Sequence, residues 1–457
     1  MTELGGIVML MIDRQAKEQI YRQLYRQIRA EIETGVRQPG QEMPSTRYLA
    51  HQLALSRNTV EHAYQDLVAE GYLVSRPASG YHVTNQLPFV VKTPALTKPH
   101  RPSYQYDFTE MYDYLHLFPI QAWQAAELRV LKRGVEHIQP ANGDLAYREQ
   151  LVHYLARLKH LHITADQIVI TSGFTEAAGI IGNLMPLFKT AGLAVAEPIA
   201  PNARMVWQTL GVPITQFRDL ANIPTAAGVV LSPTHNFPDS AGLSVAQRER
   251  FADWLQQNQR YLIELDTDGN LTYNGEPAPA VHHYLAGERS FYYTNFDEIL
   301  GASLSMGILV LPEDLVERYQ TLYGHLPNRN SQLQQQIISQ LIENDDLERY
   351  MRQLTIVYAN RHQLLMKTVQ AEMSDMVSEM GSTAGSFVTL RLHDKRPVKT
   401  LIQLAENASV GLVDPDRCWA NLTPAYPSVV LSLRQADDDQ IIGGIHALAK
   451  AWQQDSL

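Results

Sequence analysis

Two folds are expected in one chain of 457 residues: an N-terminal, mainly helical winged helix-turn-helix, and a larger α/β domain carrying a smaller α+β lobe. Three observations carry that expectation. Residues 44–83, PSTRYLAHQLALSRNTVEHAYQDLVAEGYLVSRPASGYHV, hold two short amphipathic helical patterns, a polar turn between them and a Gly-containing hairpin pattern after them. Residues 86–104 contain four prolines and no helical period, which marks an extended, stiff linker. Beyond it, helix-like and strand-like segments alternate, as they do in a mainly parallel sheet covered by helices. The expected division is therefore 9–85, 86–104 and 105–457, the last with a large lobe over about 140–330 and a small lobe over about 331–457.

In the first domain, residues 18–33 place Ile20, Leu24, Ile28 and Ile32 on one helical face. Ser45 is a good N-cap for a short helix whose apolar stripe is Tyr48, Leu49 and Leu53. Leu55, Ser56, Arg57 and Asn58 make the tight connection, and Val60, Ala63, Tyr64, Leu67 and Val68 then mark one face of a second helix that Gly71 ends. The other face carries Arg57, Asn58, Thr59, Glu61 and His62. In a helix-turn-helix the N-terminal residues of the second helix enter the major groove, where Arg bonds guanine and Asn adenine, while Ser and Thr reach phosphates. Residues 73–83, with Arg76 before Pro77 and Gly80 in the turn, form the expected wing. An ordinary helical pair with solvated polar residues shares any one of these features; their ordered combination points to double-stranded DNA. The candidate DNA contacts are Ser45, Thr46, Arg47, Ser56, Arg57, Asn58, Thr59, Arg76, Gly80 and Tyr81. Residues 20–40 (IYRQLYRQIRAEIETGVRQPG), then PSTRYLA and SRNTV, closely resemble the GntR family of bacterial transcription regulators. That resemblance implies a dimeric regulator reading a two-part operator, with Arg47, Arg57 and Gly80 at the contact positions.

Net charge is −10, an odd value for a nucleic-acid binder until it is divided along the chain. Residues 1–85 hold nine basic and nine acidic side chains, and the linker adds Lys92, Lys98 and Arg101 without an acid. The remainder has 26 basic and 39 acidic groups, so the whole excess lies there. Phosphate contacts draw on cations, so a small-molecule or self-association role suits that part better than lying along DNA. Cys418 is the only cysteine, which excludes an intrachain disulfide and fits a reducing cytosol. The apolar run at 7–12 is short for a signal-peptide core and no basic segment precedes it; no stretch reaches transmembrane length. A cytoplasmic protein without a membrane partner is expected.

In the larger domain, helices are expected at 145–158, 175–187, 202–210 and 245–257, and strands at 167–171, 192–196, 228–231, 261–265, 290–293 and 305–310. From about 332 long polar-rich helices follow, then short strands near 386–392 and 429–433 and a closing helix at 438–453. The segments LFPIQAW (117–123), ITSGFTEA (170–177), EPIAPNAR (197–204), LSPTHNFPDS (231–240), IELDTDGNLTYNGEPAPA (263–280) and FDEILGASLSMGILVLP (296–312) resemble a fold-type-I aminotransferase. With the N-terminal module, nearly the whole chain resembles the MocR subfamily of GntR regulators.

The order of those segments is kept while their key residues are not. Pyridoxal phosphate chemistry needs a lysine amine for its internal Schiff base, and no lysine occurs between Lys189 and Lys367. The resemblance implies a lysine two residues after a phenylalanine; here Phe296 is followed by Asp297 and Glu298. The acid that the family aims at the pyridine nitrogen aligns with Leu265, Asp266 pointing to the opposite strand face. The tyrosine at the ring hydroxyl aligns with Thr267, the phosphate-binding arginine with Ser305, the stacking aromatic with Ala200 and the small cradle residue with Phe174. The expected cofactor is none, and the expected class a pseudo-aminotransferase, not an enzyme. Arg204, His235, Glu298 and Arg434 are the candidate effector contacts; Arg434 lies two residues after Ser432, where the family's substrate-carboxylate arginine falls, so in a strand it keeps the face.

Other motifs read as structure. Asp266, Asp268 and Asn270 begin like a calcium loop but lack its sixth-position glycine, adjacent His282 and His283 point apart, and Asp437 to Asp439 suit a helix N-terminus. No metal site is expected. The expectation is a bacterial, homodimeric transcription regulator whose aminotransferase-like domain dimerises and senses a small molecule without covalent pyridoxal phosphate. Its rivals are a pyridoxal-phosphate-responsive regulator or residual aminotransferase, and a ligand-free dimerisation module.

Overall fold

A computed structural model of the chain describes residues 12–14, 18–77, 79–85, 103–109, 118–134, 139–239, 242–267, 269–273, 278–301, 303–381, 384–420 and 424–454. The chain divides into two compact units, Met1–Arg101 and Pro102–Leu457. Most of the expected linker lies outside the described residues, as do Asp268, Leu117 and Ser240.

The first unit has three helices, α1 (Ile20–Glu33), α2 (Thr46–Gln52) and α3 (Arg57–Ala69), and a hairpin, β1 (Leu73–Arg76) and β2 (Gly80–Val83). Leu24, Ile28 and Ile32 of α1 pack with Val60, Ala63, Tyr64 and Leu67 of α3 in a shared apolar core. Ser45 Oγ accepts from Tyr48 N at 3.2 Å and Ser56 Oγ from Thr59 N at 3.1 Å, so both short helices start on a side-chain cap. Gly71, at φ +80°, closes α3 in the left-handed conformation. The hairpin is antiparallel, pairing Leu73 with Val83 and Arg76 with Gly80. Residues 40–43 extend it: Val83 N donates to Gln41 O and Met43 N to Tyr81 O. The expected α2 stripe needs one correction. Tyr48 is 53% exposed, and Leu49 and Ala50 are the residues that enter the core.

The second unit is built on a seven-stranded sheet. After the short β3 (Tyr106–Asp107), which pairs outside this sheet, its strands are β4 (Ile168–Thr171), β5 (Leu193–Ala196), β6 (Ile214–Phe217), β7 (Gly228–Leu231), β8 (Tyr261–Asp266), β9 (Ser290–Asn295) and β10 (Gly307–Val310). The order is β4-β10-β9-β8-β7-β5-β6, with β10 antiparallel to both neighbours and the five strands from β9 to β6 mutually parallel. Nearly every strand residue is buried, as a sheet covered on both faces requires. The covering helices are α4 (Ile120–Arg133), α5 (Leu145–Lys159), α6 (Phe174–Leu184), α7 (Leu187–Ala191), α8 (Pro201–Thr209), α9 (Val245–Gln257), α10 (Val281–Tyr284), α11 (Asp297–Leu300) and α12 (Val316–Tyr323). The helix expected over 175–187 is two helices because Pro186 cannot continue the first. β6 escaped the sequence reading: ITQF is a half-exposed edge strand and carries no buried apolar run.

α13 (Gln332–Glu343) and the 27-residue α14 (Asp346–Glu372) lead into the small lobe. There β11 (Val377–Glu379), β12 (Phe387–Leu392) and β14 (Ser428–Ser432) form an antiparallel sheet, flanked by α15 (Val398–Asn407), β13 (Val410–Gly411) and α16 (Asp438–Gln454). β13 pairs in parallel with β3, so residues 106–107 are stitched into the small lobe from the far end of the domain, a pairing that two-residue strands do not announce in sequence. Asp437 Oδ1 accepts from Gln440 N at 2.8 Å, so the acids before α16 do occupy a helix N-terminus. Among the described residues no helix is long and apolar enough to cross a membrane.

Candidate functional site

On the first unit, Arg47, Arg57, Asn58, Arg76 and Gly80 are exposed, and Thr46, Thr59 and Tyr81 are half-buried. Arg57 and Asn58 open α3, while Arg76 and Gly80 face each other across the mouth of the hairpin turn. Gly80 sits at φ +80° with open space where a Cβ would point. Arg57 Nε lies 3.7 Å from Glu61 Oε2 with both side chains well solvated, a weak surface pair that leaves the guanidinium free to turn toward another anion. Three candidates also hold the unit together. Ser45 and Ser56 are the caps described above, and the Tyr81 ring meets Tyr64 edge-on with centroids 5.1 Å apart.

In the second unit the parallel strands end together at their carboxyl edge, where doubly wound sheets place ligands. A cavity of about 630 Å³ opens there. Its floor comes from Leu265 and Thr267 at the end of β8 and Tyr293 and Asn295 of β9. One side is Ser172 to Phe174 at the start of α6, another Ile199 to Ala203 at the start of α8; Ser232, Asn236 and Phe237 follow β7. Ser305 to Gly307 lead into β10, and Ser386, Phe387 and Arg434 close it from the small lobe.

The positions read as altered in sequence meet here: Leu265, Thr267, Ser305, Ala200 and Phe174 all line this cavity. Phe174, the first residue of α6, puts its ring 5.1 Å from Tyr293 and 6.0 Å from Trp207. Beside it the Glu176 carboxylate accepts from Ser172 N at 2.6 Å, so an acid already occupies that helix start. No lysine is among the described lining residues. Lys159, which approaches the sheet from α5, lies elsewhere, with Nζ 2.7 Å from Asp266 Oδ2 and 3.1 Å from Gly269 O. Tyr292 OH also donates to Asp266 Oδ2, at 2.7 Å. That lysine holds the Asp266 carboxyl below its ordinary range against the opposing effect of burial.

The four candidate effector contacts separate. Arg434 lines the cavity; it is 6% exposed and its Nε and Nη1 are buried without a hydrogen-bond partner. Glu298 does not line it. Its side chain is buried, with Oε2 3.4 Å from the Asn270 amide, and its neighbour Asp297 faces the cavity instead. Of the two residues after Phe296, α11 turns the first, Asp297, rather than the second into the open space. His235 is also set back, its ring 4.6 Å from that of Phe387 and packed where a Cβ on Gly385 would collide with it. Burial lowers His235 to about 4, so the imidazole is neutral. Arg204 donates to Arg417 O at 3.1 Å, tying α8 to the small lobe, and Ile199 N to Cys418 O at 3.2 Å and the Tyr426–Asp239 hydrogen bond likewise join the large lobe to the small one. His282 and His283 are engaged separately, with Ser290 Oγ and His160 O. Among the described residues no group of three or more His, Cys, Asp or Glu side chains is placed to hold a metal ion.

Residues 20–83 match the family of bacterial regulatory proteins, gntR family, and residues 109–223 match aminotransferase class I and II. Among solved structures, a kynurenine aminotransferase from Pyrococcus horikoshii superposes with a TM-score of 0.69 at 17% identity, over 78% of this chain and 92% of that one, a likeness of fold. The chain thus joins a GntR winged helix-turn-helix to a fold-type-I aminotransferase-like domain with a mixed seven-stranded sheet. Relatives that it matches over nearly its full length are GntR regulators of the MocR and PdxR type. The pyridoxine biosynthesis transcriptional regulator PdxR of Corynebacterium glutamicum is 26% identical over 91% of this chain and 92% of its own. The probable rhizopine catabolism regulatory protein MocR of Rhizobium meliloti is 23% identical over 97% and 96%.

Proposed function

We propose that this protein is a bacterial, cytoplasmic, homodimeric transcription regulator that binds an operator through α3 and the wing, and whose aminotransferase-like domain senses a small molecule without covalent pyridoxal phosphate. The cavity wall is the observation that carries it. A pyridoxal-type cofactor brings a phosphate, a phenolate, a pyridinium nitrogen and an aldehyde that needs an amine. This wall answers with the ring of Phe174 at the helix start, Thr267, the apolar Leu265, and Asp297 where no amine is at hand. These residues do not fit that cofactor: a carboxylate forms no Schiff base, and it repels phosphate and phenolate. Pseudo-aminotransferase is therefore the reading for the domain, and regulation its use.

A ligand in the cavity touches both lobes, since Arg434, Ser386 and Phe387 come from the small lobe and the rest from the large one. It shifts the protein only by its difference in affinity between two arrangements of the dimer. Two recognition helices reading one DNA face need half-sites about 34 Å apart or a multiple of that. The test is footprinting of the DNA upstream of its own gene with the purified protein, with and without added pyridoxal phosphate, amino acids and nucleotides. Protection of two half-sites that one of these modulates, in a colourless sample with no borohydride-bleached aldimine absorbance, supports the reading. A yellow sample that borohydride bleaches overturns it.

A further inference from the structure

α3 carries an acid on the face that the operator meets. Each residue turns about 100° around a helix, so Glu61 stands between Arg57 and Asn58, about 40° from the first and 60° from the second, one turn further along. Val60, Ala63, Tyr64 and Leu67 hold the other side of α3 in the core. The next residue, His62, is engaged elsewhere, its ring stacked on Tyr21 of α1 with centroids 4.2 Å apart and 25° between the planes. Glu61 keeps 38% of its side chain exposed and Arg57 60%, and their nearest charged atoms lie 3.7 Å apart, beyond hydrogen-bond range. Helix stability gives this acid little reason to be there: an exposed i,i+4 ion pair contributes little, and less with the cation on the N-terminal side, as Arg57 is. Against a duplex its effect is larger. A carboxylate in the major groove is repelled by guanine N7 and O6, by adenine N7 and by thymine O4, whereas cytosine presents the N4 amino donor and no acceptor of its own on that edge.

We propose that Glu61 is a specificity residue of the operator contact: its carboxylate accepts a hydrogen bond from the N4 amino group of a cytosine in a base pair one or two steps from the guanine read by Arg57, and it penalises the other three bases at that place. The inference rests on α3 being the reading element and adds a base to what that helix reads. Four residues of helix rise about 6 Å against about 3.4 Å per base pair, which sets the limit of two steps. The carboxylate brings discrimination more than affinity, because it weakens wrong sequences by repulsion as well as bonding the right one.

The test is selection by the purified full-length protein from duplexes whose randomised segment spans two half-sites and their spacing. The wild type should enrich half-sites holding a guanine that the Arg57→Ala selection loses and a cytosine one or two pairs away. Glu61→Ala should keep the guanine and lose the cytosine; Glu61→Gln should exchange the cytosine for adenine, whose N6 and N7 an amide meets with two hydrogen bonds. In fluorescence anisotropy on the best selected site, changing that cytosine to thymine should weaken the wild type about 10- to 100-fold and Glu61→Ala about twofold or less. Glu61→Ala should also bind a duplex lacking the site more tightly than the wild type, a gain that a misfolded variant does not show. A Glu61→Ala selection identical to that of the wild type, or a cytosine-to-thymine change that weakens both proteins alike, overturns the inference, and a guanine lost with Arg57→Ala then leaves α3 as the reading element. Selections unchanged by Arg57→Ala and by Asn58→Ala remove α3 from the groove, and the operator reading falls together with the inference.

Discussion

Arg57, Asn58 and Arg47 differ in what each can know about DNA. Arg57 and Asn58 project from the first turn of α3, and a bidentate pair to guanine or adenine discriminates against the wrong base by roughly 1–3 kcal/mol. Replacing either by Ala should therefore weaken operator binding about 10- to 100-fold and relax sequence preference at one position of each half-site, measured by fluorescence anisotropy against operator variants. Arg47 lies on α2, the helix that crosses the DNA backbone in the proposed docking. Its change to Ala should lower affinity for all sequences alike and reduce the slope of log K against log salt by about one. At the same scale in the second unit, Lys159 and Asp266 are both almost wholly buried and 2.7 Å apart. Lys159→Met strands a buried carboxylate and should cost about 3–5 kcal/mol, and Lys159→Met with Asp266→Asn should recover a good part of it. Thermal unfolding of the two variants decides this; a double variant no better than the Lys159→Met variant would mean that the pair contributes by packing instead.

The elements show which features local sequence can carry. Ser56 caps α3, and Ser56→Ala should destabilise the first unit by about 1 kcal/mol, read from its denaturant midpoint, because one helix-start amide loses its acceptor. Such caps, the 3.6-residue spacing of Leu24, Ile28 and Ile32, and the left-handed Gly71 are short-range facts, and they made α1, α2, α3 and the hairpin legible in the chain. The same holds for the buried strands β5 and β7, which are apolar runs, and for β8 and β9, whose apolar residues are interrupted by buried polar ones such as Glu264 and Thr294. The failures have other causes. β3 and β13 are two residues each and exist through their mutual pairing across about 300 residues of chain. Tyr48 precedes Leu49 directly, about 100° away around the helix, and points outward, because Leu49 and Ala50 fill the one buried face of a seven-residue helix. Leu265, Thr267, Ser305, Ala200 and Phe174 come from separate sequence motifs and meet in one cavity. The choice between Asp297 and Glu298 was not available in those motifs, since a one-residue turn of α11 decides it.

At the scale of the whole molecule, the buried titratable groups set opposing pH trends. Burial lowers His235 and His282 to about 4 from 6.5, so each contributes stability that is complete above about 6.5 and is lost as pH falls through 4. Burial raises Glu264 to about 7 from 4.5, against the amides of His282 and Val281 that hydrogen-bond it; its contribution is complete below 4.5 and is lost as pH rises through 7. Going up through pH 4.5–6.5 the two imidazoles therefore gain, while Glu264 and the raised carboxyls of Asp239 and Asp297 lose. His235 is the one to remove, because its ring nitrogens have no hydrogen-bond partner and it packs against Phe387 at the back of the cavity, whereas His282 is tied to Ser290. His235→Asn will change absolute stability through lost packing, which is the same at every pH, so the informative quantity is its difference from the wild type as a function of pH. That difference should shift by up to about 1.4 kcal/mol per pH unit between pH 4.5 and 6, in favour of the variant at the acid end, and level off above 6.5. Calorimetric scans of both proteins from pH 4.5 to 7.5 measure it. A gap that stays constant with pH would mean that the imidazole reaches water and protonates in the folded state, and the cavity would then have a charged wall behind Phe387, which is incompatible with a neutral aromatic face at that end of the site.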